Sequence, residues 1–269
     1  MGRIRFKKKN PVKDKELGAF VASVLMKDPT WDKSMFLRDL SEAWGIDAAE
    51  SGENSGKEAS PDILFADIDE QTRLIVTLMP GPVPNGEAEH FAQANYLWPE
   101  AVETAKDHQA HLLVAVLGES ALRERAMTFV KAVDACLAQE GVLAVYTDGA
   151  VFQPEFYHDF AAMMKEGELP LPDLVWFGLA RDGEAIGVYT FGLRKFGKEE
   201  MEVYVEEGQA DFGDLRDFLM NMAAYVLDSD VVLHDGETIG YSAEQKLAIT
   251  RSKGIALDGY TLKIEYGEA

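Results

Sequence analysis

The order of its apolar segments constrains this chain most. Segments with the alternation of β-strands are interleaved with longer segments whose apolar residues recur every three or four positions, as on one face of a helix. In the first half the order is strand, helix, strand, strand, helix, strand, over 20–26, 32–44, 63–68, 73–79, 87–108 and 111–117. This β-α-β-β-α-β order is typical of the ferredoxin-like plan.

The second half repeats a similar order after a helix predicted over 121–139. Its predicted strands and helices cover 142–147, 154–165, 174–180, 185–191, 201–206 and 211–228, and short strands follow at 231–233, 247–250 and 261–266. We therefore expect an α+β fold of duplicated ferredoxin-like modules with mainly antiparallel sheets. The expected division is a basic arm over 1–15, a first module over 16–118, a bridging helix over 119–140 and a second module over 141–269.

The net charge of −21 is unevenly distributed along the chain. Residues 1–15 hold seven Lys or Arg against one Asp, whereas residues 16–269 hold 19 basic and 46 acidic side chains. A body this acidic repels nucleic-acid phosphates and anionic lipid, and it attracts basic proteins. We expect a basic protein partner, no nucleic acid and no membrane. The alternative is that the acidic surface only aids solubility.

Cysteine use and hydropathy indicate the compartment. Cys136 is the only cysteine, so the chain forms no internal disulfide and no thiolate metal cage. We expect Cys136 to be a buried small apolar residue of its helix. The basic N-terminus lacks the apolar run of a signal peptide, and no apolar stretch is long enough to predict a transmembrane helix. These features favour a cytoplasmic protein.

The most distinctive segment is YTFGLRKFGKEE, at 189–200. Gly192, Gly197 and Lys198 have the spacing of a phosphate-binding loop. However, Glu199 stands where such a loop requires Ser or Thr, and a strand follows where a helix N-terminus should supply N–H groups. We interpret the segment as a glycine-containing bend between strands.

Two other segments could together form a pocket. The rigid turn that begins at Pro80 leads to a helix start with acids and a histidine, and the run HDGETIGYS begins at His234. Imidazole and carboxylate groups in one pocket can act as acid, base or ligand. Helix-dipole complementation and tight Asp-Gly turns are the structural alternatives. The candidate pocket residues are Glu87, His90, Trp98, His234, Asp235, Glu237 and Tyr241.

The remaining motifs give no metal or cofactor site. His108 and His111 are three residues apart, but they straddle a predicted helix end and strand start, and no H-E-x-x-H motif exists. No G-x-G-x-x-G follows a predicted strand, and no G-x-S-x-G elbow occurs. We therefore expect no metal and no cofactor, and the sequence leaves open whether the protein is an enzyme.

Five segments together resemble one family. They are MPGPVPNGEAE (79–89), NYLWPEA (95–101), GVYTFGLRKFGKEEMEV (187–203), DGETIGYSAEQKLAITRS (235–252) and LDGYTLKIEY (257–266). The set resembles the bacterial family called domain of unknown function 4261, over residues 20–266 and most strongly in the C-terminal half. The resemblance implies a bacterial cytoplasmic protein and supplies no catalytic residues.

Two functions are compatible with these features. The first is a non-enzymatic protein-interaction module, like an immunity protein or inhibitor, which needs charge complementarity and fast association rather than a reactive site. Its candidate contact residues lie on and beside the 201–206 strand: Glu199, Glu202, Tyr204, Glu206 and Glu207. The alternative is a small-molecule hydrolase or ligand-binding protein with a site between the Pro80–His90 turn and the His234–Tyr241 segment.

Overall fold

Two β-sheets with helices packed against them make up the part of the chain that the structure, a computed structural model, describes. The described residues are 17–50, 62–147, 149–240 and 244–267, without the side chains of 49 and 50. The predicted basic arm over 1–15 and the candidate Tyr241 lie outside these ranges. The fold is α+β with mainly antiparallel sheets, as predicted.

The first sheet is entirely antiparallel. Its strands are β1 (Phe20–Met26), β2 (Ala49–Glu50), β3 (Ile63–Asp67), β4 (Thr72–Met79), β5 (Ala110–Gly118), β6 (Val142–Thr147) and β7 (Ala150–Phe152). They lie in the order β2-β3-β4-β5-β1-β6-β7. The alternation of buried and partly exposed residues along β4 reflects its period of two.

The second sheet is antiparallel except where β10 and β13 run parallel. Its strands are β8 (Trp176–Asp182), β9 (Ala185–Phe191), β10 (Met201–Glu206), β11 (Thr238–Ile239), β12 (Leu247–Lys253) and β13 (Tyr260–Ile264). They lie in the order β11-β12-β13-β10-β9-β8. Residues 231–233, predicted as a strand, have no regular structure.

The helices pack against these two sheets. They are α1 (Lys33–Trp44), α2 (Glu87–Ala92), α3 (Ala101–Asp107), α4 (Leu122–Cys136), α5 (Pro154–Ala162), α6 (Leu171–Leu174) and α7 (Phe212–Asp228), with 3₁₀ turns at Pro84–Gly86, Met163–Glu166 and Leu193–Phe196. The single helix predicted over 87–108 is divided into α2 and α3. Pro99 lies between them, and because it lacks an N–H donor it cannot continue the backbone hydrogen bonds of one helix. Asp211 caps α7 in a reciprocal capping box with Asp214, at the residue where the predicted 211–228 helix begins.

The ferredoxin-like duplication is not confirmed. In a split βαβ arrangement β1 would lie beside β4, but β5 pairs with both of them and separates them. The strands β6 and β7, which the sequence division places in a second module, extend the first sheet from the edge of β1. The predicted bridging helix corresponds to α4, which packs on β1, β4 and β5. The second half therefore adds two strands to the first sheet and forms a second sheet with a different strand order, so it does not repeat the first half.

The main apolar core is one continuous cluster formed by residues of both sheets and of the helices α1, α4, α5, α6 and α7. Phe20 joins the two sheets, because its ring centroid lies 6.0 Å from that of Phe129 on α4 and 5.4 Å from that of Phe196 next to the second sheet. A smaller core under α2 and α3 covers the other face of the first sheet and contains Trp98. Cys136 is fully buried in the main core, as predicted.

Candidate functional site

The two segments of the predicted pocket lie in different parts of the molecule. The Pro80–His90 turn leads into α2, and the ring of Phe91 lies 6.5 Å from Phe191 on β9. The His234–Tyr241 segment contains β11, which lies four strands away from β9 in the second sheet. Four strand spacings are about 19 Å. The structure therefore does not bring these segments together.

Most of the predicted pocket residues have structural roles in this fold. The carboxylate of Asp235 accepts a hydrogen bond from the backbone N–H of Arg251 at 2.7 Å, and that of Glu237 accepts one from His234 N–H at 2.8 Å. These bonds fix the turn before β11, as expected of an Asp-Gly turn. Glu87 and His90 are exposed on the short helix α2, whereas Trp98 is buried in the core beneath it.

The predicted contact face on β10 also differs from expectation. Glu202 points to the outer face of the sheet, as its alternation predicts, but it is 0% exposed. Its carboxylate accepts hydrogen bonds from Lys263 Nζ and from the backbone N–H of Ile255, both at 3.0 Å. The loop that follows β12 passes over this face and buries the side chain. Glu202 therefore does not lie at the surface of the folded chain.

The neighbouring candidates are largely occupied within the molecule. Arg251 Nε donates to both oxygens of Glu199, at 2.8 and 2.7 Å, and Arg181 forms an ion pair with Glu207 at 3.2 Å. The ring of Tyr204 lies against Gly187, and a Cβ atom at position 187 would come within 2.3 Å of that ring. Burial raises the pKa of the Tyr204 hydroxyl. Of the five candidates, Glu206 is exposed and has no side-chain partner among the described residues.

In the segment that resembles a phosphate-binding loop, the backbone N–H groups bind a carboxylate of the same chain, that of Glu200. The buried Glu200 carboxylate accepts hydrogen bonds from the N–H groups of Gly192 and Arg194, at 2.9 and 3.1 Å, and from the Thr190 hydroxyl at 2.7 Å. Gly192 has φ 134°, which only glycine adopts readily. Burial raises the pKa of Glu200, and these hydrogen bonds oppose that rise. The segment is a structural bend, as we interpret it from its sequence.

An acidic groove that the sequence analysis missed lies between α1, the end of α4 and the start of α5. Its volume is about 690 Å³. Its ionisable lining residues are five carboxylates and one histidine: Asp39, Glu42, Asp134, Glu155, Asp159 and His158. Among the described residues that line it, none is Lys or Arg. Glu42, Glu155 and Asp159 are exposed, while Asp39 forms an ion pair with Arg38 at 3.0 Å.

A hydrogen-bonded trio forms the floor of this groove. The buried Asp134 carboxylate accepts a hydrogen bond from Trp44 Nε1 at 2.9 Å and contacts His158 Nδ1 at 2.7 Å. His158 is 56% exposed on its side chain, so the rest of its ring faces the groove. A carboxylate that fixes one ring nitrogen orients the imidazole. Because the thiol of Cys136 is fully buried and its pKa is raised by that burial, it supplies no nucleophile here.

Two further polar groups are buried behind the groove. Asp173 on α6 and Tyr157 on α5 are 3% and 0% exposed, and neither side chain has a hydrogen-bond partner among the described residues. Burial, and secondarily the charge of Asp134, raises the pKa of Asp173 well above its ordinary value. Asp173 is therefore held as a neutral acid over a wider range of pH than an exposed aspartate.

The sequence contains a partial signal for the groove. Asp39 and Glu42 are three residues apart on α1, and Glu155 and Asp159 are four apart on α5, so each pair lies on one helix face. Nothing in the sequence indicates that these two faces meet across the end of α4. Within the described residues, no three His, Cys, Asp or Glu side chains are placed so that they could hold a metal ion. None of the helices described could span a bilayer.

Fold and site together define the class: an acidic α+β protein whose second sheet is stabilised by buried glutamates and whose first sheet carries an acidic groove. The family model Domain of unknown function (DUF4261) matches residues 189–265 of the chain. The match covers β9 through β13 and includes the buried Glu200 and Glu202. No curated protein and no solved structure matches the chain.

Proposed function

We propose that this protein is a non-enzymatic interaction module, like an immunity protein or inhibitor, that binds a basic protein through the acidic groove. The observation that carries the proposal is the lining of the groove, in which carboxylates from α1, α4 and α5 converge, and among the described lining residues only Asp39 is paired with a Lys or Arg, namely Arg38. Opposed charges steer association and suppress wrong partners, so such a surface suits a cationic partner.

The contrast with β10 supports this choice of surface. There Glu199, Glu202 and Glu207 are paired with Arg251, Lys263 and Arg181, so their charges are largely compensated within the fold. In the groove, the exposed Glu42, Glu155 and Asp159 form no ion pair with another described residue, so water or a partner must satisfy them. The strand spacing between 80–90 and 234–241 counts against the alternative pocket.

A charge-reversal comparison tests the proposal. The groove variant carries Glu42→Lys, Glu155→Lys and Asp159→Lys, and the control carries Glu70→Lys, Glu184→Lys and Glu206→Lys, which are exposed acids outside the groove. Both variants have the same net charge. Fluorescence anisotropy with a labelled nona-arginine peptide, a probe of cationic chemistry, reports the affinity at about 0.15 M salt.

We expect the groove variant to bind the peptide about tenfold more weakly than the control variant, because only it loses the convergent charges. Equal losses in the two variants would show that the peptide responds to the total charge, and the proposed function would then be wrong. Thermal melting of both variants establishes that they remain folded.

A further inference from the structure

An aromatic cavity lies where the edges of the two sheets meet. It has a volume of about 350 Å³, and residues of β7, α5, β8, α7 and the segment after α2 line it. Its aromatic lining consists of Tyr96, Phe152, Phe156, Phe160, Trp176 and Phe177. Ligand pockets favour such a concave, mostly apolar lining at the junction of structural units.

Contacts between the rings hold this cavity open. The ring centroid of Phe152 lies 5.7 Å from that of Trp176 and 5.5 Å from that of Phe156. The Tyr96 hydroxyl donates a hydrogen bond to the carbonyl oxygen of Phe177 at 3.0 Å, and its ring lies 5.3 Å from Trp176. Because β7, β8 and α5 all contribute to the walls, the cavity exists in the folded chain before any ligand enters.

The polar side chains that line the cavity are Tyr96, Trp176, Arg216 and Asp217, and Asp217 is the one that only accepts hydrogen bonds when ionised. Trp176 is 5% exposed, and its indole N–H is buried without an acceptor among the described residues. At the mouth, Arg216 uses Nε and Nη2 to bind the Asp217 carboxylate at 3.0 and 2.8 Å. A guanidinium has five N–H donors, so this pairing leaves others for a ligand. A buried N–H without an acceptor is destabilising, and a ligand oxygen would relieve that cost.

The volume limits the size of the ligand. An engineered apolar cavity of about 150 Å³ holds a benzene molecule, and this cavity has about 350 Å³. Two fused rings therefore fit, with their faces against the aromatic walls. We propose that the cavity binds a planar bicyclic aromatic carboxylate, whose oxygens accept from Trp176 and Arg216. This site is separate from the acidic groove and does not depend on the function proposed for it.

Isothermal titration of the full chain with 2-naphthoate tests the proposal. We expect saturable binding at or below about 1 mM, and at least tenfold weaker binding of 2-naphthylmethylammonium, which has the same rings and the opposite charge. Absence of saturable naphthoate binding would overturn the proposal, and equal binding of the two probes would do the same.

Two variants locate the site. Trp176→Phe keeps an aromatic ring and removes the N–H, and we expect it to weaken naphthoate binding at least fivefold. Trp31→Phe is the matched control, because Trp31 also has a buried indole N–H without an acceptor among the described residues, but it does not line the cavity. Equal affinities in these two variants would contradict the role of Trp176.

A cavity-filling variant covers the case in which Trp176→Phe unfolds. Met220 lines the cavity and is only partly buried, so Met220→Trp should occupy the space and abolish naphthoate binding. Met79→Trp, on the first sheet, is its control and should bind as the wild type does. Naphthoate binding that survives in a folded Met220→Trp variant would place the ligand elsewhere and overturn the proposal.

Discussion

Carboxylates have opposite roles in the second sheet and in the groove beside the first. Within residues 189–265, which the family model matches, Glu200 and Glu202 are 2% and 0% exposed, and N–H or O–H groups of the same chain bind their oxygens. In the groove, Glu42, Glu155 and Asp159 are exposed to solvent. The comparison teaches that a net charge of −21 does not by itself locate an interaction surface, because part of that charge is structural.

The largest effect should come from removing the anion that the 192–194 bend surrounds. Glu200→Ala leaves the N–H groups of Gly192 and Arg194 and the hydroxyl of Thr190 without their acceptor. We expect the free energy of unfolding to fall by roughly 3 kcal/mol or more, as measured by urea denaturation. The control Glu206→Ala should change it by less than about 0.5 kcal/mol. Similar values for the two variants would contradict a structural role for Glu200.

The pairing of Glu202 with Lys263 should give the next largest effect. In a double-mutant cycle of Glu202→Gln and Lys263→Met, we expect a coupling energy of about 1–2 kcal/mol, because the carboxylate is buried and the ammonium is largely so. Urea denaturation of the four proteins measures it. Additive single effects would mean that the two charges act independently, and Glu202 would then be a weaker part of the fold than its burial indicates.

Asp173 should make stability depend on pH in a defined direction. Its pKa is raised by burial and by Asp134, so the folded state binds its proton more tightly than the unfolded state does. The stability it contributes is complete below its ordinary pKa, near 4, and is lost as pH rises towards the raised folded value. We expect Asp173→Asn to gain stability relative to the wild type as pH rises. Parallel pH profiles in urea denaturation would contradict this.

The smallest effect on stability should come from the groove. Glu42→Gln and Glu155→Gln remove exposed charges that form no ion pair within the described part of the chain, so we expect the free energy of unfolding of the double variant to lie within about 0.5 kcal/mol of the wild-type value. The same variant should bind nona-arginine more weakly, by about threefold. A large loss of stability in urea denaturation would show that the groove acids are structural, and the contrast between the two regions would disappear.

Local features of the fold could be predicted from the sequence, whereas the pairing of distant segments could not. The cap at Asp211 and the burial of Cys136 on the apolar side of its helix could be predicted, because each depends on residues within a few turns of the same helix. The neighbours of β1 are β5 and β6, which lie about 90 and 120 residues later and carry no local mark of that choice. For this reason the element order suggested a ferredoxin-like duplication that is not confirmed.

The candidate site shows the same limit. The alternation along β10 correctly places Glu202 on the outer face of its strand, but a loop some 50 residues later covers that face. The groove requires α1 and α5 to meet across the end of α4. Its acids on these two helices are more than 100 residues apart, so in the sequence each pair looks like an ordinary solvated helix face. Residue type and spacing identify the helix faces, but only tertiary packing makes them one surface.

The most direct test of the central claim is a map of backbone amide shifts in two-dimensional NMR spectra as nona-arginine is added to the full chain. The account predicts that the largest perturbations fall on the second half of α1 and the first half of α5, around Glu42 and His158. Perturbations centred on residues 199–207, with the groove unaffected, would contradict it.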